Sequence, residues 1–317
     1  MKQIDYSKTV KNLRQLLKDY IIKSNLKSLV IGVSGGIDSA LVCALAKPVV
    51  DELNIPLVGR SISIKSNKED EKERARNIGK HFCTDFKEID LSDLFTITKD
   101  YMMGTSDNEP EDKAYKIRMG NIKARMRMTY LYNLASEFGG LVLSTDNMTE
   151  LNLGFWTICG DVGDYGLIQE LWKTEVYGMT EWLAANELIY HTQDGSDALN
   201  SCITCDATDG LGITKTDLDQ ILPDWKDRHT STRSGYSEVD EIFISYFETV
   251  EKLNNTIPAY EKSKLISRYV DFTNPNVVIL QRHLLNIMNK STVIQRHFKT
   301  EFKRNHPYNE KRIDFIV

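Results

Sequence analysis

Between Tyr6 and Ile22, apolar residues recur at Val10, Leu13, Leu16, Leu17, Tyr20 and Ile21, the spacing of a helix with one buried face. Leu29 to Val33 breaks that rhythm with an unbroken, β-branched-rich run, the pattern of a strand covered on both faces. Ser34, Gly35 and Gly36 interrupt it, and an alanine- and leucine-rich helix opens near Ile37. Further strand-like segments fall at Leu57 to Ile64, Phe86 to Ile89 and Leu141 to Ser144. Helices are expected between them. One is opened by the capping-box spacing of Ser66 and Glu69 and runs to about Phe82. Another runs from Leu91 to about Tyr101. A long one runs from Asp112 to about Glu137 and is closed by Gly139-Gly140. A helix follows Lys173, and after Tyr236 the residues Ile242, Phe243, Tyr246, Phe247 and Val250 share one helical face. The polar stretches 105–111, 158–166 and 207–233 read as loops. Alternating strands and helices predict an α/β fold, a doubly wound parallel sheet with ligands at the carboxyl ends of its strands, plus an additional C-terminal helical segment.

Composition narrows the class. The 317 residues carry a formal net charge of −5, which argues against general nucleic-acid binding. No apolar run approaches the ~20 residues that span a bilayer, and the N-terminal residues lack a signal-peptide core. Five scattered cysteines (Cys43, Cys83, Cys159, Cys202 and Cys205) suggest reduced thiols in a cytoplasmic setting. Cys202 and Cys205 have metal or redox spacing, but no second pair or nearby histidine completes a zinc site, so packing is the expected role.

The strand, glycine turn and helix N-terminus at 29–46 carry the clearest chemistry. Such a turn gathers backbone N–H groups at one point, where the helix dipole also favours an anion. Glycine lets phosphate approach the backbone. There is no Gly-Lys-Ser/Thr, so this is not the common nucleoside-triphosphate loop. A carboxylate at Asp38, beside a polyphosphate, implies a bridging Mg²⁺; an isolated first-turn Asp favoured by the dipole is the plainer alternative. Farther on, Asn121 and Arg125 share a helical face, with Arg118 near it. That face would present an amide and guanidinium to a phosphate or carboxylate, or stand as a solvated basic surface.

Ser34-Gly35-Gly36-Ile37-Asp38-Ser39 resembles the Ser-Gly-Gly-x-Asp-Ser signature of ATP pyrophosphatases, which cleave ATP to AMP and pyrophosphate. Gly120-Asn121-Ile122-Lys123-Ala124-Arg125-Met126-Arg127-Met128 is similar to the Gly-Asn-x-x-Ala-Arg-x-Arg-Met signature of the NAD synthetase branch. Thr145-Asp146 with Glu150, the Gly160-to-Asp164 loop, Ala207-Thr208-Asp209-Gly210-Leu211 and the tail around Thr300 to Pro307 resemble further motifs of that branch, in order. The resemblance implies a Rossmann-like core over residues 1–229, an extra helical segment at 230–292, and a tail at 293–317 returning to the active site. It implies ATP contacts from Gly32, Val33, Ser34, Gly35, Gly36, Ile37, Asp38, Ser39, Arg60, Thr145, Lys173 and Thr208. Asp38 and Glu150 would bind Mg²⁺, and Asn121, Arg125, Asp164 and Lys303 would hold deamido-NAD. The branch is typically a homodimer joined through the long Arg125 helix, where Ile122, Met126, Tyr130 and Leu131 are compatible with an interface and equally with packing inside the chain.

The implied reaction is ATP-dependent amidation of deamido-NAD to NAD through an acyl adenylate, releasing AMP and pyrophosphate. Adenylation gives a poorly electrophilic carboxylate a leaving group. The glycine turn and Lys173 would stabilise charge on departing pyrophosphate, and Asp161 would attract ammonium and accept its proton. Glutamine-dependent members resemble fusions to a glutaminase of roughly 250 or more residues, larger than a typical single domain. None precedes Met1, so ammonia is the expected donor. Departures from the pattern concentrate at substrate contacts: Ile158 stands where a lysine is usual, the Gly160 loop is one residue shorter, Ala207 replaces a proline, and Phe302 replaces a histidine. The competing readings are an ATP pyrophosphatase adenylating another acceptor and a non-catalytic nucleotide-binding module. Asp38, Glu150 and Lys173 together argue against the latter.

Overall fold

The computed structural model describes residues 4–65, 68–103, 112–157, 159–187, 193–208, 214–222, 224–256, 308–309 and 312–316. Four parallel strands form the central sheet in the order β3-β2-β1-β4, with β1 Ser28–Gly32, β2 Leu57–Ser63, β3 Asp85–Asp90 and β4 Gly140–Val142. Strand order reverses between β1 and β4, which places the ligand crevice of a doubly wound fold at the carboxyl end of β1. A bridge from Leu143 to Tyr165 extends the sheet toward β5 (Tyr165–Gly166), which pairs in parallel with β6 (Tyr308–Asn309).

Helices cover both faces because the strands are apolar on both. Leu29, Ile31, Leu57 and Leu141 pack with α1 (Tyr6–Ser24), α2 (Ile37–Leu53), α3 (Glu69–Phe82), α7 (Lys173–Asn186) and α8 (Gln193–Ile203). Val30, Val58, Ile62 and Val142 face α5 (Lys113–Phe138) through its Met128, Leu131, Leu134 and Ala135. Helix α4 (Ser92–Met103) packs beside α5 through Phe95 and Met119, against which Ile122 and Met126 also lie. Leu131, Ile122 and Met126 therefore pack within the chain, and the exposed large apolar residues of α5 are Ile117 and Tyr132. Within α2, Pro48 has no N–H to offer Ala44, and Arg14 of α1 donates to the Ala44 carbonyl at 3.2 Å instead.

Several boundaries differ from the sequence pattern. Helix α3 begins at Glu69 with Lys68 as its cap, and Glu71, rather than Glu69, reaches back to the cap N–H at 3.2 Å; Ser66 lies outside the described residues. Part of the expected 158–166 loop is a strand, since Tyr165 pairs with both Leu143 and Tyr308. The 207–233 stretch holds two single-turn helices, α9 (Leu218–Ile221) and α10 (Trp225–Arg228). Helix α11 (Thr232–Thr256) starts before Tyr236 and packs on α6 (Met148–Leu153), α7 and α9. Its Tyr236, Val239 and Phe243 join Met148, Trp172, Leu218 and Trp225 in a second apolar core that draws residues from both sides of position 229. Residues 257–307 lie outside the described residues. Of the tail, α12 (Arg312–Phe315) buries Phe315 in the main core, and Arg312 donates to Glu170 O at 2.9 Å and pairs with Glu175 of α7.

Candidate functional site

The glycine turn between β1 and α2 is held by its own serines. Ser34 Oγ and Ser39 Oγ are 3.1 Å apart, Ser34 Oγ accepts the Gly36 N–H at 3.2 Å, and Ser39 Oγ donates to Gly36 O at 3.1 Å. Gly35 has φ +83°, in the left-handed region, and a Cβ there would overlap the Glu71 carbonyl. Only glycine meets both conditions. Arg74 Nε donates to Gly35 O at 3.0 Å, fastening the turn to α3. Gly36 caps α2, so the first-turn N–H groups around Ile37, Asp38 and Ser39 and the positive end of the helix dipole all meet at this turn.

In the first turn of α2, Asp38 meets Lys173 and, through it, Glu150. Lys173 Nζ donates to Asp38 Oδ2 at 2.6 Å and to Glu150 Oε1 at 2.7 Å, and lies 5.6 Å from the Tyr236 ring centroid. The lysine side chain is only 2% exposed. Burial opposes its charge, and Asp38 and Glu150 outweigh that, holding it well above the ordinary lysine value. Asn147 joins the carboxylates: its Nδ2 donates to Asp38 Oδ1 at 2.8 Å while its Oδ1 caps α6 through the Glu150 N–H at 3.0 Å.

Negative charge is in surplus here. Burial and the neighbouring Asp38 push Glu150 up to about 8 despite Lys173. Asp161, whose Oδ1 accepts the Thr157 N–H at 2.7 Å, is pushed well up by burial and by Asp146 and Glu150, which places it within their field. An oxygen-only donor set with excess negative charge fits a hard divalent cation such as Mg²⁺. Among the described residues no group of three or more His, Cys, Asp or Glu converges on one metal position, so phosphate and water oxygens would have to complete its shell.

The other expected site residues are placed as follows. Gly32 and Val33 lead from β1 into the turn, and half-buried Thr145 follows Ser144 just beyond β4. Thr208 is exposed and its hydroxyl lies 3.4 Å from Glu71 Oε1, beside the helix turn against which Gly35 packs. Asn121 Oδ1 accepts the Thr157 hydroxyl at 2.8 Å, linking α5 to the segment that holds Asp161. Arg125 is exposed on the same helix. Asp164 accepts the Tyr132 hydroxyl at 2.9 Å and the Val142 N–H at 3.0 Å, tying α5 to β4. Lys303 and Ile158 lie outside the described residues.

Arg60 is a correction. Its carbonyl accepts the Val33 N–H at the start of the turn, but its side chain is 2% exposed and its guanidinium bonds Asp85 Oδ2 at 3.0 Å and Gly59 O at 2.7 Å. Asp85 opens β3, so the guanidinium points toward the amino edge of the parallel sheet, away from the carboxyl-edge crevice. Cys202 is buried and Cys205 half-buried, and Cys205 Sγ lies 3.2 Å from Cys202 O, as packing requires. Sequence reasoning gave no role to Asn147, Asp146 or Asp240. Asn147 and Asp146 sat within a recognised motif, and an amide at an α6 N-cap position was a signal available for the former.

No helix among the described residues is long and apolar enough to cross a membrane. The model of the family described as NAD synthase matches residues 9–257. An NH(3)-dependent NAD(+) synthetase of Finegoldia magna is 31% identical over 220 residues, 69% of this chain and 85% of that protein. That of Carboxydothermus hydrogenoformans is 32% identical over 221 residues, 69% of this chain and 86% of the relative. The solved NH3-dependent NAD synthetase of Campylobacter jejuni superposes with a TM-score of 0.61 at 21% identity, covering 92% of this chain and 97% of the other, and shares the fold.

Proposed function

The chain belongs to the NAD synthase family, and from that premise we propose that it is a C–N ligase converting deamido-NAD to NAD with ATP and ammonia, at the site built around Asp38, Glu150 and Lys173. The nicotinate carboxylate attacks the α-phosphorus of ATP. Pyrophosphate leaves, and ammonia displaces AMP from the acyl adenylate. Ammonia as donor rests on the two NH(3)-dependent relatives described above, which the chain matches over 85% and 86% of their length.

The observation that carries the assignment of roles is a buried lysine shared by two carboxylates at the mouth of a glycine turn. The turn and the α2 N-terminus hold the phosphates through backbone N–H groups. Lys173 stabilises negative charge growing on pyrophosphate, an effect strengthened because its ammonium is shielded from water. Asp38 and Glu150 would hold Mg²⁺, which when bound neutralises phosphate charge. Asp161, with its raised proton affinity, takes a proton from bound ammonium and so frees the ammonia that attacks the acyl carbon. Thr145 and Thr208 would contact the nucleotide, and Asn121, Arg125, Asp164 and Lys303 would bind deamido-NAD; Arg60 is left out. The exposed side chains of α5, Ile117 and Tyr132 among them, would supply a homodimer face, and the protein would work in the cytoplasm.

The test is pyrophosphate release from ATP with Mg²⁺, deamido-NAD and ammonium, omitting each component in turn. Release that requires deamido-NAD, with NAD formed only when ammonium is present, is expected. Tight ATP binding without release would refute the reading.

A further inference from the structure

Asp240 lies on α11, outside every motif that carried chemistry in the sequence, and is fully buried. Its Oδ1 accepts the Thr149 hydroxyl at 2.5 Å. Its Oδ2 accepts both the Thr174 N–H, at 2.8 Å, and the Thr174 hydroxyl, at 2.7 Å. Thr149 Oγ1 in turn accepts the Lys173 N–H at 2.8 Å. Each threonine is the chain neighbour of a member of the ion cluster: Thr149 precedes Glu150 on α6, and Thr174 follows Lys173 on α7. The N-cap of α7, Trp172, offers no side-chain acceptor of its own, so the first two N–H groups of the helix, those of Lys173 and Thr174, are served from two other helices.

We propose that Asp240 is a positioning residue for the ligase reaction, clamping the first turns of α6 and α7 so that Glu150 and Lys173 keep the spacing adenylation requires. The proposal rests on the roles given above to Glu150 and Lys173. The clamp has a fixed polarity. Thr149 Oγ1 accepts from Lys173 and therefore spends its proton on Asp240, while Thr174 spends an N–H and an O–H on the other carboxylate oxygen. Only a group with two acceptor oxygens serves all three donors. Asparagine has the same shape but one acceptor. If its oxygen faces Thr174, its amide meets Thr149, whose proton must turn elsewhere. A shift of about 1 Å between catalytic groups lowers turnover by up to about 100-fold.

The experiment compares full-length wild type with D240N, Thr149→Val and Thr149→Ser, assayed well below the lowest melting temperature of the set. kcat, KM for ATP and for deamido-NAD, and the Mg²⁺ concentration giving half-maximal rate are measured per folded molecule. D240N is expected to lower kcat by about 10- to 100-fold with little change in KM for deamido-NAD, and to raise the Mg²⁺ requirement. Thr149→Val should fall in the same way, and Thr149→Ser, which keeps the hydroxyl, should recover most of that loss. A merely structural carboxylate would lower the melting temperature and leave kcat and the Mg²⁺ requirement of the folded fraction unmoved, which would overturn the proposal. Where D240N does not fold, the Thr149 pair decides: equal rates in the valine and serine variants overturn it. A wild type that makes no NAD overturns the functional reading itself, whereas an active wild type matched by D240N overturns only the clamp.

Discussion

Lys173→Met removes the ammonium from the ion cluster while nearly keeping its volume, so packing around Tyr236 and Tyr177 changes little. What remains is a pair of carboxylates, Asp38 at 16% and Glu150 at 18% side-chain exposure, with no cation between them. Removing one partner of a buried ion pair costs about 3–5 kcal/mol, and at roughly 2 °C per kcal/mol the melting temperature should fall by about 6–10 °C. The loss should depend on Asp38. In an Asp38→Asn background only Glu150 is left exposed to the missing charge, so the double variant should lose about 1–3 kcal/mol less than the sum of the single ones. It should also depend on pH. Burial and Asp38 raise Glu150 from 4.5 to about 8 in the folded state. Stability linked to that proton is full below about 4.5 and is lost as pH rises through about 8. With no ammonium to offset the second charge, Lys173→Met should lose stability faster than wild type between pH 6 and pH 9. Urea unfolding followed by circular dichroism and tryptophan fluorescence at both pH values gives all of these quantities. Additivity within about 0.5 kcal/mol, or an equal loss at pH 6 and pH 9, would show that the cluster does not exist in solution as drawn.

Asp38→Asn alone should leave the circular dichroism spectrum intact and lower pyrophosphate release by at least about 100-fold; near-normal turnover would remove Asp38 from the phosphate chemistry. Gly35→Ala must place a side chain at φ +83° against the Glu71 carbonyl, and should cost about 1–3 kcal/mol and abolish ATP binding by calorimetry. Burial raises the pKa of Asp219, but hydrogen bonds from Trp225 Nε1, Lys226 and Thr216 outweigh it and lower the group to about 2. That stability is present above about 3.8 and lost as pH falls toward about 2. Asp219→Ala should therefore be about 1–2 kcal/mol less stable than wild type at pH 7, with the gap closing below pH 4, as thermal melts across that range would show.

The sheet was legible because its central strand is an unbroken apolar run and the long helix beside it carries caps of its own, Asp112 and Gly139. Leu29 to Val33, the glycine turn and Asp112 to Gly139 need nothing beyond local spacing, and the structure keeps them within a residue or two. Strand β6 was not legible: two residues, Tyr308 and Asn309, offer no alternation to read, and their pairing is fixed by a distant strand. Arg60 was misplaced for a related reason. An arginine within a strand looks the same in sequence whichever way its guanidinium runs, and the direction is set by Asp85 on the neighbouring strand. Asp240 was invisible because a carboxylate that caps another helix leaves no mark at capping distance in its own. The polar core of the site thus divides into a part written locally, Asp38 and its serines, and a part assembled by tertiary contact, Lys173 and its supports.

The brace between Arg312 and Glu175 joins residues 137 positions apart, at the third residue of the helix that begins with Lys173. Asp240 reaches the same first turn from 66 positions away. The phosphate turn, by contrast, closes within a few residues of itself. Contacts between distant parts of a chain form late, because the intervening loop must first be ordered. A refolding chain should therefore regain its helical signal, and then nucleotide affinity, before it regains turnover. Catalytic competence in this protein is a property of the finished fold, and its recovery serves as a clock for the last step of assembly.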